Sequence, residues 1–385
     1  MTEIRKPVAR EIRRPAVRIR QGKRTLFFTS FTVREFADGG FYRVDHLDVK
    51  AGKGHQRLLD ESRARSFAKD MLRANNEDET FLPTSVFLAT EGTIEYDEKR
   101  GEMAFEPVVS GVLPFDVVDG QHRIEGLLLA QKSDNELKDF PISVVIAHEM
   151  TQPEKMAQFV IVNTKQKTVD TGVTQVITAK FKRILDEFPN NKPYLPSWLQ
   201  RQVDKGTDDK ALTLTMDLNK DERCPWYRKI QFADEYKQPE HTITQATFVR
   251  LAKQLLLTKS HPLFFFDEKK RHAILCNFWN VIDDICVGDE YTGSVVFKST
   301  GVTFFHSILG PILNQLAYER EYSEEKFKKI MMGAAEHLPP NAVGCLSPDF
   351  WRPGSAISGY NRGAIAALSA AFTEALAAYD EDFAV

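Results

Sequence analysis

The spacing of apolar side chains changes along this chain, from short blocks and alternation in the first third to recurrence at three and four residues in the last. Residues 25–33 and 41–49 are rich in β-branched and aromatic types, and Gly39 and Gly40 between them signal a turn, which predicts two strands. In residues 56–74, Ala64, Phe67, Ala68, Met71 and Leu72 share one helical face. A buried strand over 81–90 follows, then a hairpin of 93–96 with 103–105 closed over 97–101.

The strongest local signal comes next. A strand over 115–118 ends at Asp119 and Gly120, and Gln121 opens a helix whose apolar face holds Ile124, Leu127 and Leu128. A strand at 141–147 reads as completing a βαβ unit. A helix over 152–162 leads into Asn163, Thr164, Lys165, Gln166 and Lys167, and another helix covers 172–188. Residues 189–240 lose the pattern, with Pro193, Pro196, Pro225 and Pro239 among many charges, and predict a linker or insertion. Helical periodicity then holds over 242–257, 268–287, 302–320, 324–337 and 362–379. The expected fold class is mixed α/β (α+β) over 25–188 with a mostly helical domain over 241–385, preceded by a basic flexible arm at 1–24.

The 385 residues are 42% hydrophobic and 27% charged, which suits a globular chain of one or two cores. No apolar run nears the roughly 20 residues that cross a bilayer, and the basic start is unlike a signal peptide, so a cytoplasmic protein with no membrane partner is expected. Cys224, Cys276, Cys286 and Cys345 lie far apart with no CxxC pair. That spacing suggests reduced, mostly buried thiols and neither a zinc knuckle nor a disulfide framework. The net charge of −3 hides an asymmetry: residues 1–24 carry +7 and the remainder −10. Arg10, Arg13, Arg14, Arg18 and Arg20 make a DNA-binding tail one reading of the arm, because each neutralised phosphate releases counterions. A solvated leader is the other.

An Asp-Gly pair between a strand and a helix makes an anion site for physical reasons. Gly120 permits a tight turn, and the first helical amides lack intrahelical partners while the helix dipole adds positive charge there. Arg123 offers a fork of donors suited to phosphate, and His122 can donate, accept or carry a proton near neutral pH. Asp119 can hold a divalent metal, a water or a partner side chain, and Gln121 can position a water or hydrogen-bond a base. A structural role competes throughout: Asp-Gly is a common turn pair, Asp119 can cap the helix, and Arg123 can pair with Glu125 or another carboxylate.

The run VVDGQHRIEGLLLA, residues 117–130, closely resembles the motif of the DGQHR-domain family. That family includes the DndB proteins of DNA phosphorothioation clusters and the DpdB proteins of 7-deazaguanine DNA-modification clusters. GHQRLLDESRARSFAKDML (54–72), FVIVNTKQKTVD (159–170) and FWRPGSAISGYNRGAIAAL (350–368) resemble further segments of the family, in the same order. The resemblance implies a ParB and sulfiredoxin-like fold, whose members bind nucleotide phosphates through a GxxR loop; Gly120 and Arg123 stand at its two positions. It also implies a phosphate and metal patch to which Asn163, Gln166 and Lys167 correspond. A ParB-type helix-turn-helix is not recognisable.

Gln56 and Arg57 open the first strong helix and are candidates for the same cleft, with an exposed helix start as the alternative. Arg352, Asn361 and Arg362 bracket a Gly-rich loop that offers a second anion contact or simply docks on the core. His148 with Glu149 lacks a second His or Cys at ligand spacing and reads as a satisfied edge histidine. Trp198, Trp226, Trp279, Trp351 and residues 264–266 read as packing residues. Two functions follow from the resemblance. One is a component of a DNA-modification or phage-defence system that binds and hydrolyses ATP or another NTP with Mg²⁺ without a Walker P-loop, alongside the modification enzymes of its cluster and as a possible homo-oligomer. The other is a non-enzymatic DNA-binding regulator. A ParB-like nuclease ranks last, for want of a carboxylate cluster.

Overall fold

The computed structural model describes residues 11–48, 54, 56, 58–106, 114–166, 171–187, 195, 197–205, 207–288 and 294–383. Residues 1–169 with 183–200 form one unit, and 170–182 with 201–385 form another.

The first unit is built on β1 (Ile12–Pro15), β2 (Val17–Gln21), β3 (Arg24–Thr32), α1 (Val33–Asp38), β4 (Tyr42–Arg43), α2 (Glu61–Asn76), β5 (Val86–Ala89), β6 (Glu95–Asp97), β7 (Glu102–Phe105), β8 (Phe115–Asp119), α3 (Gln121–Ser133), β9 (Pro141–Ala147) and α4 (Gln152–Gln166). Six strands make a mixed sheet in the order β2-β3-β9-β5-β8-β4, and β1-β7-β6 make a smaller antiparallel one. Alternation explains β9, where Ile142, Val144 and Ile146 are buried in turn. In β8, Phe115, Val117 and Val118 are all fully buried, as befits a strand between two neighbours and covered on both faces.

Asp116 is the polar exception in that strand. Its buried carboxylate accepts from Arg43 and from Lys155, and Lys155, itself 1% exposed, also reaches Glu91 at 3.0 Å. This pair pins α4 to β8. On the other side α2 and α3 pack closely at Gly126, where a Cβ would come within 2.6 Å of Phe67 Cδ1 and 2.9 Å of the Ala64 carbonyl oxygen.

Three expectations meet a different structure. The described part of the predicted arm is not free chain: β1 pairs with β7 and β2 with β3, because Ile12 packs against the core and Ala16 lies buried between the two strands. The strands flanking α3 do not form a parallel βαβ unit. β5 lies between them, parallel to β9 and antiparallel to β8, and alternation reads the same in either direction. The segment expected as a linker holds α6 (Ser197–Lys205) and α7 (Thr207–Lys220). In α7 the buried Ala211, Leu212, Leu214 and Leu218 set the face.

The second unit is helical, as its periodicity predicts: α5 (Thr171–Glu187, shared at its end with the first unit), α7, α8 (Gln245–Leu257), α9 (Glu268–Cys286), α10 (Ser299–Gln315), α11 (Glu324–Glu336) and α12 (Arg362–Phe383). Trp226, Trp279 and Trp351 are fully buried, and Trp226 meets Trp279, Phe248 and Phe297 edge-on at 4.7–4.9 Å. They are packing residues. Phe265, in contrast, is 76% exposed, and the side chain of Trp198 lies outside the described residues.

Lys155→Met should strand the Asp116 carboxylate in the core and cost about 3–5 kcal/mol, while adding Asp116→Asn should recover part of the loss. Urea denaturation of the full chain, followed for the three proteins, checks this. A Lys155→Met protein as stable as the parent would show that the pair does not hold α4.

Candidate phosphate-binding site

β8 hands the chain to α3 through Gly120, whose φ of 110° lies where side-chain-bearing residues are strained. Space is short as well, since a Cβ there would sit 3.0 Å from Val86 Cγ2. Glycine at the N-cap has no side chain to accept from the first-turn amides, so Asp119 is not the cap. Asp119 is instead paired with Arg123 across one helical turn. The same guanidinium donates to the carbonyls of Thr84 and Ser85 at 2.9 and 2.8 Å. It is therefore a clasp joining β8, α3 and the entry to β5. Burial lowers the pKa of Arg123 from its ordinary value; Asp119 opposes that shift and the positive charge of Arg63 adds to it.

His122 accepts at Nε2 from the backbone N–H of Asp60, 3.1 Å away, while the Asp60 carboxylate caps α2 by accepting from Arg63 N. That hydrogen bond requires an unprotonated Nε2. Gln56 is buried, and its side-chain amide donates to the carbonyls of Val117 and Val118 at 2.7 and 2.8 Å, bracing the end of β8.

These residues surround one cavity of about 450 Å³, lined by Gln56, Arg63, Ser66, Phe67, Asp70, Thr84, Asp119, Gly120, Gln121, His122, Arg123, Phe159 and Asn163. The volume is in the range of small-molecule sites. Of the residues singled out in the sequence, Gln56, Asp119, Gly120, Gln121, His122, Arg123 and Asn163 meet here. Asn163 donates to the Phe159 carbonyl within α4. Arg57, Lys167, Arg10 and the side chain of Gln166 lie outside the described residues.

Sequence reasoning missed Arg63, Ser66 and Asp70. They stand at positions i, i+3 and i+7 of α2, a polar stripe beside Phe67, and that spacing was the available signal. Arg63 is exposed and forms no ion pair with any described carboxylate. Among the described residues, the positive charge open to the cavity is thus that of Arg63 rather than the clasped Arg123.

Residues 14–176, fewer than half of the 385, match the family model described as DndB, DNA-sulfur modification-associated. This segment is similar to the DndB family. No curated protein and no solved structure gives a significant match to the chain. The matched segment holds the whole cavity, and the family it is similar to is associated with DNA sulfur modification.

The described arginines of the predicted DNA-binding tail, Arg13, Arg14, Arg18 and Arg20, fall on β1 and β2 of the first unit. Arg14 pairs with Glu35 and stacks 4.1 Å over Phe31, Arg18 pairs with Glu98 over Tyr96, and Arg13 pairs with Glu11. Arg20 donates to the Gly22 carbonyl. Elsewhere, His148 accepts from Ile94 N and packs edge-on to Phe27. In the helical unit Asn361 caps α12 through Ala364 N and Arg352 pairs with Asp349. No helix among the described residues is long and apolar enough to cross a membrane.

Arg123→Ala should remove the clasp, leave Asp119 and two carbonyls without their donor, and cost about 2–4 kcal/mol of stability. Thermal unfolding of Arg123→Ala beside Arg63→Ala checks it: the first should melt well below the parent and the second within error of it. Equal melting of both variants would refute the clasp.

Proposed function

We propose that the cavity of the matched segment binds the phosphates of a nucleoside triphosphate, and that nucleotide binding makes the chain a working component of DNA sulfur modification. One observation carries the reading: the N-terminus of α3 and the guanidinium of Arg63, which pairs with no carboxylate among the described residues, border the same cavity. A helix N-terminus and a forked cation are complementary to a phosphate group from two sides. The clasp of Arg123 on Asp119 supports this, since it presets the loop before any ligand arrives.

Hydrolysis is the finer part of the proposal. It assigns Asp119 to a Mg²⁺ ion or its waters, Gln121 and His122 to the attacking water, and Arg63 with the α3 amides to charge that develops on the transferred group. Asn163, at the cavity wall, and Gln56, braced on β8, then hold the site's shape.

A second reading, a DNA-binding regulator, is favoured by β2, whose five residues are all exposed and include Arg18 and Arg20. It needs Arg18 to leave Glu98. Binding through these strands would weaken steeply with salt.

Calorimetric titration of the full chain with ATP, CTP and GTP, each with Mg²⁺, separates the two. The proposal expects one of them to bind, Arg63→Ala to weaken it by about tenfold, consistent with about 1.5 kcal/mol for a charge-assisted hydrogen bond, and phosphate release to accompany binding. Binding without phosphate release would remove the hydrolytic part. No binding of any nucleotide at millimolar concentration, with salt-sensitive binding of duplex DNA, would overturn the proposal.

A further inference from the structure

The four cysteines are buried and free, as the sequence predicts, but two of them are not isolated. Cys224 lies in the turn after α7, where its N–H donates to the Asp221 carbonyl at 3.0 Å. His272 and Cys276 lie one turn apart on α9 and so share a face. Tertiary packing of that turn against α9 places His272 Nε2 3.6 Å from Asp221 Oδ2 and 3.5 Å from Cys276 Sγ. The ligand atoms of Asp221, His272 and Cys276 all lie within 4.8 Å of one another. Cys224, three residues after Asp221 in the same turn, lies outside that group of three and is the electrostatic neighbour of the Cys276 thiol.

These spacings have a chemical meaning. A tetrahedral zinc ion with bonds of about 2.3 Å to sulfur and about 2.0–2.1 Å to nitrogen or oxygen sets its ligand atoms about 3.3–3.8 Å apart. The separations of His272 Nε2 from Asp221 Oδ2 and from Cys276 Sγ stand at that edge length. Both thiols are nearly sealed from solvent, with Cys224 2% and Cys276 7% exposed. The carboxylate is oriented from behind: Arg223 forks onto it, Nε to Oδ1 at 3.0 Å and Nη2 to Oδ2 at 2.9 Å. Such outer hydrogen bonds fix a ligand's direction in metal centres.

We infer that Asp221, His272 and Cys276 hold a structural zinc ion in the helical unit, with Cys224 of the same turn drawn in as its fourth ligand. Two ligands come from a tight turn and two from one helix face, and four protein ligands leave no open position for catalysis. Binding displaces the two thiol protons, giving two thiolates, a neutral imidazole and a carboxylate around the ion. Its place in the fold gives it a purpose. Cys224 is two residues before Trp226 and Cys276 three before Trp279, the two indoles that pack edge-on at 4.8 Å, so the metal would lock the turn and α9 around that contact.

Metal analysis of the full-length chain, produced without a polyhistidine tag in zinc-supplemented medium and dialysed, tests the site. The expected result is about one zinc per chain. Cys276→Ser and His272→Ala should lose it, and Cys286→Ser, a buried thiol outside the cluster, should keep it. Replacement by Co²⁺ should give the intense visible bands of a tetrahedral site with sulfur-to-metal charge transfer. That spectrum belongs to the unmutated chain and does not depend on a variant folding. A reduced chain that takes up neither Zn²⁺ nor Co²⁺, or a purified state in which Cys224 and Cys276 form a disulfide, would overturn the inference.

Discussion

The clasp of Arg123 on Asp119 and on the carbonyls of Thr84 and Ser85 is the contact on which the site depends. It turns the strand end, the glycine turn and the helix start into one rigid object. It also pairs the charge of Asp119 in place, so among the described residues the positive field in the cavity is that of the α3 N-terminus and Arg63, with the Asp70 carboxylate on the same wall. The surroundings reinforce the same geometry. Gln56 braces the last carbonyls of β8, His122 ties the α3 start to the α2 cap, and Lys155 holds α4 through Asp116. Gly126 lets α2 come close enough for Arg63 to reach the cavity wall.

Much of this was legible in sequence where local pattern decides structure. The strand at 141–147 follows from apolar alternation, the junction at 115–121 from a buried run ending in Asp-Gly, and the helices of the second unit from their period. Strand direction was not legible, because β8 and β9 would alternate identically in a parallel pair. The basic start looked like a free arm because its charge outweighs its pattern. Yet Arg14 and Arg18 lie over Phe31 and Tyr96 and pair with carboxylates distant in sequence. In the expected linker, prolines and charges hid the periodic Ala211, Leu212, Leu214 and Leu218 of α7.

The site divides the same way. The pentapeptide from Asp119 to Arg123 announced itself, but the roles within it depend on groups brought in by the fold. Arg123 resembles a phosphate ligand in sequence and is an internal strut in three dimensions; Arg63 resembles a surface helix residue and lines the cavity. Likewise no spacing rule joins Asp221 to His272 and Cys276, which meet only because the turn after α7 packs on α9.

The central claim is that phosphate binds at the Gly120 turn. Selective ¹⁵N-glycine labelling of the full chain, with resonances assigned by substitution, reads that turn directly during titration with a nucleoside triphosphate and Mg²⁺. The account predicts that the Gly120 resonance shifts in a saturable way, that Gly22 beside β2 stays still, and that the unphosphorylated nucleoside moves neither. Shifts confined to Gly22, or a Gly120 resonance that ignores the triphosphate at saturation, would contradict it.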